Sequence, residues 1–138
     1  MAKLTKDKLI KYFDPAERVL HSAPADADTY PVGSIVALNE GTGRVTHVTG
    51  SITGAVVGMV HEHQVVAKNG DLLEYQSGLH AISGSGFTSI NQVAYFDDSD
   101  LAMASSGSSG IPGGYYRGPV QGAGPDMVMI DLGKAPKE

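Results

Sequence analysis

From Val32 onward the chain is broken into short apolar runs separated by glycine, serine and acidic turns: "SIVAL", "RVTHVT", "AVVGMVHEHQVVA", "DLLEY", "HAIS", "TSINQVAYF", "LAMAS", "YYRGPV" and "MVMIDL". Runs of this length, with turn signals about every 8 to 12 residues, specify an all-β sandwich or barrel rather than alternating βαβ units. No helix is expected in this body. The cluster "SSGSSGIPGG", residues 105–114, carries too much glycine and serine for a strand interior and is expected to be a mobile loop joining two strands.

The pattern is written twice. "GAVVGMV" (54–60) has a twin in "GYYRGPV" (114–120), so that Gly54 and Gly58 are matched by Gly114 and Gly118, displaced by 60 positions. Before each twin stands a strand, an acidic or amide turn ("NEGTG", "DDSD"), a second strand and a polar loop. Glycine within a strand marks a bulge, a bend or the close approach of another backbone. Two pseudo-equivalent β units, closing on each other into a small sandwich or barrel, are therefore expected, with these four glycines at equivalent corners.

Residues 1–30 lack this pattern and read as an arm and linker preceding a β domain of residues 31–138; the 138-residue chain has room for one domain. Leu9, Ile10 and Phe13 fall on one helical face, and "DPAE" offers Asp14 as an N-cap, Pro15 in the first turn and Glu17 as the capping-box partner. "HSAPADADTYP" has no periodicity and reads as an extended linker. The arm is thus expected to be helical or extended.

The chain has no cysteine, which excludes a disulfide framework, a thiolate metal site and a cysteine nucleophile. No apolar run approaches the roughly 18 residues of a membrane-spanning helix, and the charged N-terminus lacks the apolar centre of a signal peptide. A soluble protein made in a cytoplasm, without a membrane partner, is expected. The net charge of −5 argues against nucleic acid as a partner, because binding phosphate requires lysine and arginine to displace its counterions. Five of the ten basic residues (Lys3, Lys6, Lys8, Lys11 and Arg18) lie in the first 18 positions, while residues 19–133 hold three basic against eleven acidic side chains. A basic arm therefore precedes an acidic body, and such an arm suits an acidic partner.

"VGSIVALNEGTGRV" followed by "GAVVGMV", and "QVAYFDDSDLAMASS" followed by "GGYYRGPV" and the closing "DMVMIDL", resemble the small capsid cement or head decoration proteins of tailed bacteriophages. The likeness covers about residues 30–133 and rests on turn chemistry and strand order. It implies an all-β structural protein, not an enzyme and without a cofactor. Such a protein binds the major capsid protein on the outer surface of the virion, often as a homotrimer, and locks neighbouring capsomers together. On that reading Lys3, Lys6, Lys8, Lys11, Leu9 and Phe13 of the arm contact capsid or a sister subunit.

Two other classes compete. Among His21, His47, His61, His63 and His80, only "HEH" at 61–63 is a close pair; in a strand His61 and His63 would point to one face, as two metal ligands must, with His47 or His80 as a third. That is the start of a cupin-like metal-dependent enzyme, but the glutamate such a site wants some four residues later is replaced by Lys68 and Asn69. The plain alternative is a polar strand face. The third class is a β-barrel carbohydrate-binding module that stacks sugar on Tyr115 and Tyr116. No nucleophile elbow, phosphate loop or complete calcium loop is present, and "DDSD" (97–100) reads as a β-turn.

Overall fold

A computed structural model describes residues 3–7, 18–49, 54–99, 101–104, 110–120 and 127–133. Every regular element among them is a strand: β1 (Arg18–Pro24), β2 (Asp28–Tyr30), β3 (Ile35–Asn39), β4 (Arg44–His47), β5 (Val56–Met59), β6 (Gln64–Val66), β7 (Leu72–Ser85), β8 (Val93–Phe96), β9 (Ala102–Met103), β10 (Ile111–Pro119) and β11 (Met127–Leu132). The all-β class read from the run lengths is the class of the protein.

The long strand β7 organises the rest. Its second half continues through β11, β10, β8 and β9 and returns to itself where Gly84 lies parallel to Ala102, closing a five-stranded barrel. Its first half pairs with β1 on one edge and meets β5 at Gln76; β5, β3 and β4 follow, and a parallel bridge between Ala25 and Val45 links β4 back to the end of β1. A second ring of five strands therefore shares β7 with the first.

The two rings repeat each other pair by pair. Val36 opposite Gly58 corresponds to Ala94 opposite Gly114, Ala37 opposite Val56 to Tyr95 opposite Pro112, and Ile35 opposite Met59 to Val93 opposite Tyr115. Met59 opposite Gln76 has its counterpart in Tyr115 opposite Asp131, and the closing bridge Ala25–Val45 in Gly84–Ala102. In both rings the register skips one residue, Val57 in β5 and Gly113 in β10, which is a β-bulge at the same place. The spacing of equivalent residues shrinks along the chain, from 59 at Ala25 and Gly84 to 55 at Gln76 and Asp131, as the intervening turns shorten.

This register corrects the match of the twin glycines. Gly58 is equivalent to Gly114 and not to Gly118, because the pairing partners, rather than the "GxxxGxV" spelling, define position in the barrel. A Cβ on Gly58 would fall on the carbonyl of Gln76, and one on Gly114 would fall on the carbonyl of Asp131, so both strands cross their neighbours at a distance that only glycine permits. Gly54 and Gly118 both have positive φ, 113° and 114°.

Alternation along each strand then assigns two cores. Ala25, Tyr30, Val36, Val45, Val60, Val66, Leu73 and Tyr75 fill the first ring. A larger cluster fills the second with Ile82, Ala94, Phe96, Ala102, Tyr116, Val128 and Ile130, and it also takes in Ile35, Ala37, Val48, Val56 and Met59 from the first unit. From Ile35 to Ala37 strand β3 is buried on both faces, because Val36 points into its own ring while Ile35 and Ala37 point into the other, which is why "IVA" is a continuous apolar run.

The arm and linker need correction. Residues 18–30, read as the end of the arm and the linker, belong to the body: β1 pairs with β7 from Arg18 to Pro24, and β2 pairs with β6. The sequence conceals β1 because its side chains are mostly exposed, so it carries no apolar alternation. Residues 3–7 lie against the body, with Lys3 Nζ bonded to the Asp28 carboxylate at 2.6 and 2.8 Å and Asp7 accepting from Val32 N at 2.8 Å. Lys6 is exposed; Lys8, Leu9, Ile10, Lys11 and Phe13, with the expected helix caps Asp14, Pro15 and Glu17, lie outside the described residues. Of the expected loop at 105–114, residues 111–114 open β10, and 105–109 lie outside the described residues.

Candidate functional site

The polar side chains that the fold gathers lie where β7 passes from the first unit to the second. The chain leaves β5 at Met59 and turns before β6, so "HEH" occupies a turn, and the same-face argument for His61 and His63 no longer applies. His61 turns toward β7, where its Nε2 lies 2.8 Å from Nε2 of His80, the rings meeting edge to face with centroids 5.0 Å apart. His80 Nδ1 donates to the carbonyl of Gly78 at 2.8 Å, leaving its Nε2 to accept, so His61 Nε2 carries the proton between them. Such a contact needs the Nε2 of His80 unprotonated, so His80 must be neutral. Burial pushes both well below the usual histidine range, to about 4, with the Arg18 guanidinium adding to the effect and the Asp131 carboxylate opposing it at His80.

His61 also forms one wall of an open cleft of about 230 Å³, lined with Leu20, Glu62, Gln64 and Glu74. Gln64 holds the shape of this cleft. Its side-chain Nε2 donates to the carbonyl of Glu74 at 2.8 Å and its Oε1 accepts from the amide of Glu74 at 2.9 Å, so one side chain imitates a ladder partner for β7. The cleft is acidic at its rim and apolar at Leu20, which is 62 % exposed.

The remaining histidines go elsewhere. His63 is exposed and bonds through Nδ1 to the Asp7 carboxylate at 3.1 Å; the amide of Val32 and His63 together hold that carboxyl below its usual range. His47 is buried, stacks on Tyr30 at 4.5 Å and donates from Nε2 to the carbonyl of Thr29, and burial lowers its pKa. His21 stacks on Tyr75 and bonds to Ser77 Oγ. The two predicted metal ligands His61 and His63 are therefore not brought together, and among the described residues no group of three or more histidines and carboxylates is placed to hold a metal ion. Residues 97–99 of "DDSD" form the bend between β8 and β9, and Ser99 Oγ donates to the carbonyl of Ile35, tying the second unit to the first.

The tyrosine pair proposed for stacking on sugar is divided by strand alternation. Tyr116 points inward, 9 % exposed, and stacks on Phe87 with centroids 4.6 Å apart, while Tyr115 points outward beneath the Arg117 guanidinium. Tyr116→Ala is expected to destabilise the protein by about 3 to 5 kcal/mol. Tyr115→Ala should cost less than about 1 kcal/mol, since its face is not part of either core. Urea denaturation of the two variants checks the difference.

Comparison with family models, with curated proteins and with solved structures returns no match. The reading of this site therefore rests on its own chemistry. The histidine pair ties the turn after β5 to β7, because His80 bonds through Nδ1 to the carbonyl of Gly78 and through Nε2 to His61.

Proposed function

We propose that this chain is a structural binding protein that decorates the outer surface of a tailed-phage head, holding neighbouring capsomers together. The observation that carries the reading is the internal doubling: one chain presents the same five-stranded frame twice, which suits attachment to a shell that is itself built from repeated, closely similar positions. The resemblance of the turn and strand order to capsid cement proteins supports it. So does the character of the surface, where Val19, Leu20, Val65, Leu72 and Ile90 are each more than half exposed on an acidic body.

The test is to add the purified protein to expanded heads of the phage that encodes it, prepared without this protein. Saturable binding in a fixed ratio to the major capsid protein is expected, together with a higher temperature of head disruption. Absence of co-sedimentation with expanded heads would overturn the reading.

A further inference from the structure

The doubling shows how one unit covers the next. In the first unit, Ile35, Ala37, Val56 and Met59 stand on the outward face of β3 and β5, and all four are buried because the second unit packs over them. Their counterparts in the second unit, fixed by strand register, are Val93, Tyr95, Pro112 and Tyr115 on β8 and β10. These four are apolar or aromatic too, and each is only half-buried. Met103 on β9, paired with Tyr95, extends the same patch.

The opposite half of the junction is also left over. Phe96 and Ile111, fully buried in the cluster that joins the units, correspond to Leu38 and Ala55 of the first unit. Leu38 is 37 % exposed and Ala55 is half-buried. Among the described residues there is thus one completed junction, a half-buried apolar face on the second unit and a partly exposed end on the first.

We propose that the face formed by Val93, Tyr95, Met103, Pro112 and Tyr115 is a docking surface for a second copy of this chain, whose first unit seats its Leu38 end there as the second unit seats Phe96 on the first. The contact is heterologous, because face and end are different surfaces, so copies associate head to tail and either close into a ring or extend. Three copies in a closed ring set six units around one axis. The inference is independent of capsid binding, since it concerns only what the chain does with itself.

Sedimentation velocity on the intact chain tests it with two variants, Tyr95→Asp on the face and Leu38→Asp on the end, each first shown by circular dichroism to retain the parent fold; Tyr115→Asp replaces Tyr95→Asp if that variant unfolds. The parent is expected to self-associate at micromolar concentration, and each variant alone to associate about tenfold more weakly or worse, because a charge must be buried at the contact. An equimolar mixture should recover a one-to-one dimer and nothing larger, as one intact face meets one intact end. A monomeric parent, either variant assembling like the parent, or a mixture that stays monomeric would each overturn the proposal.

Discussion

Gly114→Ala is expected to destabilise the protein by about 3 to 5 kcal/mol, enough to leave much of the chain unfolded at 37 °C. Two independent costs combine at this position. The residue has φ of +143°, which side chains other than glycine's rarely adopt, and the added methyl would be driven into the backbone carbonyl of Asp131 on β11. A carbonyl in a ladder cannot move aside as a flexible side chain can. Gly58→Ala meets only the second cost, against the carbonyl of Gln76, because Gly58 is not in the left-handed region, and should lose about 2 to 3 kcal/mol. Gly70→Ala meets only the first: φ is +98° with open space around it, and about 1 kcal/mol is expected. The order Gly114, Gly58, Gly70, measured by chemical denaturation, separates backbone strain from collision. Equal losses at all three would mean that β10 and β5 do not cross their neighbours as closely as described.

The same glycines show how far the sequence could be read. The spelling of "GAVVGMV" and "GYYRGPV" points to two copies of one unit but matches Gly54 with Gly114, whereas strand pairing makes Gly58 the equivalent of Gly114; turns of unequal length within the two units hide that register from the sequence. Strand β1 was hidden for a different reason. Its side chains from Val19 to Ser22 are exposed, so no alternation marks it, and its place is set by hydrogen bonds to β7 that the sequence does not encode locally. For the histidines the signal existed on one side only. "GLHAIS" places His80 in an apolar strand where a buried, hydrogen-bonded ring is to be expected, but its partner His61 sits 19 residues away on a turn, and a spacing of that kind has no periodicity to reveal it.

Stability should fall steeply between pH 6.5 and 4. His80 is 2 % exposed and burial lowers its pKa from 6.5 to about 4. Above pH 7 neither the folded nor the unfolded chain carries this proton and the pair is intact. As the pH drops through 6.5 the unfolded chain takes up a proton that the folded chain refuses, so stability is lost progressively until the folded His80 itself protonates near pH 4. A displacement of this size corresponds to about 3 kcal/mol for a single buried group. His61, half-buried, and His47, whose pKa is lowered by burial, act in the same direction and steepen the slope. The carboxyls of Asp7 and Asp28 lie below their ordinary value of 3.8, so their contribution disappears only under more acidic conditions. His80→Gln keeps a side chain able to bond with Gly78 and His61 but removes the titration. Its unfolding free energy should be lower than that of the parent at pH 7.5 and should decline by about half as much on acidification to pH 4.5. If parent and variant lose stability in parallel over that range, His80 is not held neutral, and the hydrogen bond joining it to His61 does not fasten the first unit to the second.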